Sequence, residues 1–480
     1  MNKHVVVLGG GLAGLSCAYE MARKGLRVTV VEREPAVGGM ATSFEEGDRA
    51  TAGEPDSDYW SYDFGPHRFH TDEKELLGHI QEILGENQVW RKRLSRIFLF
   101  DRFYNYPLEL QNVLRNMHPF EIVRILFDYV WVRLQDALRL KDYQDRNFSE
   151  WVEKRFGRAL ADIFFIQYTE KAWGIPATEI SSVWASQRIS LLSLTDTIIK
   201  TVFRPRNAPR TLVTDFVYPR LGGIGELARG YQRRIEAMGG TVIADAPAIR
   251  IHREGARVTG IEYRRDGERQ MLEGDHYIST MPVTELARRV TPRAPDAVHQ
   301  GLQGLGYVSV VFVYLRVARD KITDDHWIYL PQKHLKVHRI SEFKNFSPVA
   351  APPGKTMVCA ELTCRVGDEL WRGTDEELTE IATKDLATVG LIEPHEVFGS
   401  FIKRIPFGYP LYDLDYEGNL KAVMDFVHAF ENLESGGRQG LFRYNNMDQS
   451  IEMGRMMAAR LAGETDADHE SVATEQRYFG

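Results

Sequence analysis

Val5-Val6-Val7-Leu8-Gly9-Gly10-Gly11-Leu12-Ala13-Gly14-Leu15 passes from an apolar run, through a GxGxxG turn, into a helical pattern. This is the strand, turn and helix of a dinucleotide-binding unit. Gly9 permits the tight turn, Gly11 lets backbone approach a pyrophosphate, and Gly14 lets the helix lie close on the strand. The N–H groups of the first helical turn, at Leu12 and Ala13, then face the phosphates from the positive end of the helix. A second apolar strand, Val28-Thr29-Val30-Val31, leads into Glu32 and Arg33, about where the ribose-binding acid is expected, roughly 20 residues after the turn. A carboxylate there accepts from free ribose hydroxyls and repels a 2′-phosphate. A glycine turn alone also fits a plain hairpin, so the preceding strand, the following helix and the spaced acid carry the assignment. Between NAD and FAD the turn does not choose.

The chain has 480 residues, 43% hydrophobic and 26% charged, which is enough for two domains or one large divided one with a sizeable core. A net charge of −7 without a basic run argues against nucleic acid or an anionic membrane as main partner, while leaving room for a small anion held by local arginines. Cys17, Cys359 and Cys364 are too few for a disulfide framework and too oddly spaced for a metal site, so no metal is expected and a reducing cytoplasm fits best. The most apolar helical stretch, 122–134, carries Arg124, Asp128 and Arg133, too charged to span a bilayer; it reads as a buried amphipathic helix. The core strand starts so near the N-terminus that no signal peptide is expected.

Along the chain no repeat is visible, and two polar pieces stand out: an exposed loop at 45–58 and a tail after Gly463. Residues 76–214 show helical periodicity with many aromatics and arginines, which predicts a mainly α-helical insertion. Residues 215–290 return to α/β style, with a helix over 226–238, a strand at 241–243, an alternating pair at 248–252 and 257–263, and an apolar exit at 276–280. Stretches 305–317 and 355–364 read as strands of a second sheet. The fold expected is therefore α/β, with a Rossmann-type dinucleotide domain over 1–75, 215–290 and 410–463. A mixed α+β substrate domain with the helical insertion would take 76–214 and 291–409, and 464–480 a polar tail.

Further motifs run in order along nearly the whole chain. A second glycine pair, Gly38-Gly39, precedes Met40; then come Gly65-Pro66-His67-Arg68-Phe69-His70-Thr71 and Tyr168-Thr169-Glu170-Lys171-Ala172-Trp173-Gly174. Arg188-Ile189, Arg339-Ile340 with Lys344, and Tyr409-Pro410 with Tyr412 and Asp413 follow, before Gly436-Gly437-Arg438 and a segment with Tyr444, Asn446, Met447, Gln449 and Ile451. Together they resemble UDP-galactopyranose mutase and its wider amine-oxidase-like and protoporphyrinogen-oxidase-like relatives, most specifically at GPHxFHT and YTEKxWG. The resemblance implies FAD in a domain of the glutathione-reductase type. It is bound by Gly9, Gly11, Leu12, Ala13, Gly14, Glu32, Arg33, Gly38, Gly39, Met40, Gly65 and His67, and closed over by Gly437, Arg438, Tyr444, Asn446, Met447, Gln449 and Ile451. It also implies that His67 lies against the flavin ring, where the near-neutral titration of a histidine is useful. Arg188 and Arg339 would grip a nucleoside diphosphate bidentately. Tyr168 and Trp173 would cover the base from a mobile loop, and Tyr409, Tyr412 and Asp413 would sit near the sugar. The catalytic set so implied is His67, Arg188, Arg339 and Tyr409.

The chain also departs from that pattern. Leu362 stands where the mutase usually has a tyrosine after the glutamate of Ala360-Glu361, and the second arginine expected after Arg188 is absent, with Leu191-Leu192 and Ile198-Ile199 in that region. Two activities are therefore carried forward: a mutase-like isomerase acting on a nucleoside-diphosphate sugar through reduced FAD, with NAD(P)H as an external reductant, and an FAD-dependent oxidoreductase. A non-catalytic scaffold, as in the GDP dissociation inhibitors, fits less well because the flavin-binding glycines and Glu32 are retained. The partner expected is a small molecule, with neither nucleic acid nor membrane, and a homodimer is left open.

Overall fold

The computed structural model describes residues 3–106, 108, 110–141, 143–188 and 215–472. Its first layer is a five-stranded parallel sheet in the order Leu433–Ser435, His276–Ser279, His4–Leu8, Arg27–Val31, Thr241–Ile243. Parallel strands are covered on both faces, so they read as continuous apolar runs with each side chain committed by its parity. Val5 and Val7 enter a core shared with the helices Leu12–Arg23, Glu226–Ala237 and Met447–Leu461, while Val6 and Leu8 enter a second core on the opposite face. All four valine and leucine side chains are 0–1% exposed, each worth about 1.5–3 kcal/mol of transfer free energy.

The expected elements of 215–290 are present: a helix Glu226–Ala237, a strand Thr241–Ile243, and Ala248–Glu254 paired antiparallel with Arg257–Arg265. A second, seven-stranded sheet contains the expected strands Tyr307–Val317 and Thr356–Cys364. Its far edge departs from the sequence reading, because Ser95–Leu99 and Arg102–Asn105 join it from inside the stretch expected to be helical. Ile97-Phe98-Leu99 is apolar enough for either element, and pairing with Trp327–Tyr329, more than two hundred residues away, decides for strand.

The helix over 122–134 also differs from expectation. It exists, as Pro119–Ala137, capped by His118 and opened by Pro119 at its first turn, but only one of its apolar faces is buried. Ile125, Tyr129 and Val132 pack inward, whereas Phe120, Val123, Phe127 and Val130 are more than 60% exposed. The polar tail is partly structured: His469 is buried, its Nε2 2.8 Å from the carbonyl of Ser435, and Arg443 donates to the carbonyl of Glu470. The three cysteines are free and buried, and no described helix is long and apolar enough to cross a membrane.

Candidate functional site

One crevice of about 680 Å³ runs from the carboxyl ends of the parallel strands to the second sheet. At the first end, Leu8, Val31 and Thr280 finish adjacent strands, and the loops beyond them splay apart as parallel α/β sheets require at a ligand site. The helix Leu12–Arg23 begins there with Gly11 as its N-cap and no side-chain cap, so its leading N–H groups face the crevice. A Cβ on Gly14 would collide with the carbonyl oxygen of Gly9, which explains why the helix can start so close to the strand. A Cβ on Gly11 would meet no protein atom within 4 Å; it would project into the crevice itself, where backbone approach to a ligand is needed. Glu32 is 7% exposed on the same wall, accepting N–H bonds from Gly10 (2.6 Å) and Glu34 (2.8 Å). Burial raises its pKa, and those two donors hold the rise back.

The second sheet builds the opposite wall through its register. Lys403, Phe312, Glu361 and Arg339 are mutual neighbours across four adjacent strands, which sets them in one row along the crevice. Arg339 meets Glu361 with both ends of its fork, Nε to Oε1 at 2.7 Å and Nη2 to Oε2 at 2.6 Å, and Glu361 is fully buried. Burial works against the Arg339 charge, but Glu361 more than offsets it and holds the guanidinium above its ordinary pKa. Arg339 also donates to the Tyr409 hydroxyl at 3.3 Å. The Tyr409 ring stacks on Tyr444 at 5.3 Å and 14°, and Arg438 lies over both, 4.1 Å from the Tyr444 centroid.

Beside this row runs the segment carrying His67. Gly65 backs onto Glu361, where a Cβ would fall 2.9 Å from Oε1. Burial first, then the nearby Arg339 and Arg438 charges, push His67 down to about 3. It is therefore neutral at physiological pH, contrary to the near-neutral titration expected from sequence, because it is buried and the charges nearest it are cations. Arg68 lies over the Trp327 ring, its Cζ 4.3 Å from the centroid; burial and then Arg93 push it down to about 10. Arg93 is likewise lowered by burial. Among the described residues neither Arg68, on the crevice wall, nor Arg93, off the wall but felt by Arg68, has a carboxylate within 4.0 Å, so the surroundings of Arg68 carry more positive than negative charge.

The crevice wall includes Gly9, Gly11, Leu12, Ala13, Glu32, Arg33, Gly38, Gly39, Met40, His67, Arg339, Tyr409, Gly437, Arg438, Tyr444, Asn446 and Met447 among the residues expected from sequence. Others lie elsewhere. Gln449 and Ile451 are buried off the wall, Gln449 Oε1 accepting from the Asn446 N–H at 2.8 Å and the Ile451 carbonyl accepting from Ser16 at 2.8 Å. Tyr412 is 4% exposed in the core, its hydroxyl donating to the Phe442 carbonyl at 3.1 Å, and Asp413 is bridged to Ile180 away from the wall. Tyr168 and Trp173 belong to a helix, Gln167–Trp173, rather than a loop. Trp173 is 6% exposed with its edge on Tyr409, and Tyr168 touches His338 (3.3 Å) and Tyr329. Within the same motif Lys171 gives its three donors to the carbonyls of Leu330, Gln332 and Val337, a structural clasp. Arg188 ends the helix Ser182–Arg188, and its side chain lies outside the described residues.

Sequence reasoning passed over Arg68, Arg93, Glu361 and Lys403. Arg68 was inside a quoted motif, and Glu361 in a quoted segment, but only the register pairs it with Arg339. A dinucleotide fits the crevice on two counts. Gly11 leaves the cradle open, and four polar atoms on the wall, His67 Nδ1, Arg438 Nε, Gln439 Oε1 and Asp448 Oδ1, are buried without a protein partner. Unmet groups of that kind cost about 1–3 kcal/mol each and are the ones a ligand satisfies. Among the described residues no His, Cys, Asp and Glu group could hold a metal ion.

Comparison with known proteins agrees with this architecture. The model of the flavin-containing amine oxidoreductases matches residues 12–400. A crystal structure of reduced UDP-galactopyranose mutase superimposes with a TM-score of 0.82 at 20% identity, covering 99% of this chain and 97% of the other. In sequence, the chain is 23% identical over 179 residues to the "Probable UDP-galactopyranose mutase" of Klebsiella pneumoniae, spanning 37% of this chain and 43% of that protein. It is 24% identical over 421 residues to the 15-cis-phytoene desaturase of Synechococcus elongatus, spanning 82% of this chain and 81% of that one.

Proposed function

Because the chain belongs to the flavin-containing amine oxidoreductase family, with FAD as its cofactor, we propose that the enzyme is a mutase-like isomerase of nucleoside-diphosphate sugars. The observation carrying this reading is the set of guanidinium groups on the crevice wall, Arg68, Arg339 and Arg438, with Arg93 off the wall but close enough to Arg68 to lower it. A diphosphate is the anion such a cluster favours, since planar guanidinium forks match its oxygens.

The residues divide the work accordingly. The open helix end after Gly11 and the carboxylate of Glu32 would hold the pyrophosphate and adenosine ribose of FAD, with Arg438, Asn446 and Met447 as further holding residues on the wall. When bound in its reduced form, FAD would supply a nucleophilic ring nitrogen for chemistry at the anomeric carbon of the sugar. Arg68 on the wall would receive the diphosphate as its charge grows on leaving, and being held in place it needs no reorganisation at that moment. Glu361 fixes Arg339 in orientation, leaving its Nη1 for substrate, and Arg339 directs the Tyr409 hydroxyl. His67, neutral and with Nδ1 unpaired, offers a hydrogen bond to the flavin edge without adding charge.

The test is an anaerobic assay of the reduced enzyme against a panel of nucleotide sugars, scored by product chromatography, with UDP binding followed in parallel. Ring-isomerised product, and at least about tenfold weaker UDP binding by Arg68→Met, are expected. No conversion and no UDP binding would end the proposal. A second reading, an FAD-dependent oxidoreductase, is favoured by the commitment of the Arg339 fork to Glu361. Net bleaching of the flavin by substrate, restored by oxygen, distinguishes it.

A further inference from the structure

Of the nineteen large hydrophobic side chains exposed among the described residues, fourteen fall between Trp90 and Leu140. Half of these fourteen lie on the helix Pro119–Ala137, and they are in phase. Phe120, Val123, Phe127, Val130, Trp131 and Leu134, 44–73% exposed, recur at three- and four-residue intervals. With Leu126 they cover an arc of about 140° when each residue turns the helix by about 100°. Arg124 and Arg133, both exposed, fall just outside the two edges of that arc. The helix is not loosely attached. Its inner face is buried at Ile125, Tyr129 and Val132, its Asp128 Oδ2 accepts from the Ala159 N–H at 2.8 Å, and Gly157 approaches so closely that a Cβ would lie 2.9 Å from Tyr129 Cα.

Charge identifies what this face suits. Among the described residues of 90–141, six Lys and Arg are exposed (Lys92, Arg102, Arg115, Arg124, Arg133 and Arg139) against one acid, Asp101, a surplus of five in a chain whose net charge is −7. A two-fold contact with a second copy would bring two such surpluses together. An apolar arc edged by arginines, on a helix too charged to span a bilayer, instead has the form of a helix lying in the plane of an anionic lipid surface. There the arginine stems run along the acyl boundary and their heads reach the phosphates. We infer that this face docks the enzyme peripherally on anionic membranes, which revises the sequence expectation of no membrane partner.

Flotation of the FAD-loaded full chain with phosphatidylglycerol–phosphatidylcholine vesicles tests this. The wild type is expected to float with vesicles containing anionic lipid and much less with phosphatidylcholine alone. Phe127→Asp and Val130→Asp, both at exposed positions, should weaken partition at least about tenfold, each buried apolar group and each added charge at the interface contributing. Their flavin content and melting temperature should match the wild type, which separates a lost surface from a lost fold. A wild type that fails to float overturns the inference. So do variants that float like it, or a wild-type dimer in sedimentation that Phe127→Asp makes monomeric, because the face then belongs to a second copy.

Discussion

Replacing Glu361 by glutamine is the sharpest test of how the crevice is held together. The carboxylate is fully buried and meets Arg339 through two bonds of 2.7 and 2.6 Å, while the Arg339 side chain is 16% exposed. Glutamine keeps the shape but replaces one acceptor by an NH₂ facing a guanidinium donor, and it leaves a cation beside His67, Arg68 and Arg438 with no counter-charge. Breaking a buried pair by removing one partner costs about 3–5 kcal/mol. Glu361→Gln should therefore lose about that much in equilibrium urea unfolding of the flavin-free protein. The double variant Arg339→Met, Glu361→Leu removes both charges and should recover a large part of the loss. The freed Arg339 fork also gains capacity for anions, so UDP should raise the urea midpoint of Glu361→Gln more than that of the wild type. A loss below about 1 kcal/mol, or a double variant less stable than Glu361→Gln, would refute the reasoning.

Three further outcomes are expected. Gly11→Ala should melt like the wild type without flavin, since its Cβ meets no protein atom, yet bind FAD at least about tenfold more weakly in absorbance titrations. Gly14→Ala should instead lose about 1–3 kcal/mol of stability, because its Cβ strikes the Gly9 carbonyl; equal behaviour of the two variants would undo the assignment. Lys171→Met strips the donor from three carbonyls and should lower stability by about 2–4 kcal/mol in denaturant titrations, an unchanged midpoint being the contrary result. Acid should destabilise the fold: burial holds His67 and His70 down to about 3, His326 to about 4, and His338 well below its ordinary value. The unfolded chain takes up these protons from about pH 6.5 downward and the folded chain does not, so each histidine removes about 1.4 kcal/mol per pH unit as pH falls. Asp63 and Asp448, raised by burial to about 6, act in the opposite sense below pH 6 and offset about two of the four. The urea midpoint of the flavin-free protein should still fall between pH 6.5 and 4; a midpoint that rises over that interval contradicts the assignment.

Legibility followed the range of the interaction. The glycine turn was readable because its requirements lie within eleven consecutive residues: a turn at Gly9, an open Gly11 and a close-packed Gly14. The wall residues of the C-terminal helix were half readable. Asn446 and Met447 line the crevice, but Gln449 turns back to cap the Asn446 N–H and Ile451, one turn further along, packs into the core, and a motif written in single letters carries no packing. Tyr412 sits beside Tyr409 in sequence, and the chain turns it into the core to bond the Phe442 carbonyl. Arg93 sat inconspicuously in the run Arg91-Lys92-Arg93, and burial together with its closeness to Arg68 set it apart.

The amino-acid sequence by itself determined the nucleotide-binding layer, because parallel strands buried on both faces and a glycine turn are local and leave continuous apolar runs. The tertiary structure alone decided three things: the pairing of Arg339 with Glu361, the neutrality of His67, and the exposure of the apolar arc from Phe120 to Leu134. Each depends on which distant groups surround a side chain. Electrostatic environment and solvent exposure belong to that surrounding rather than to the residue.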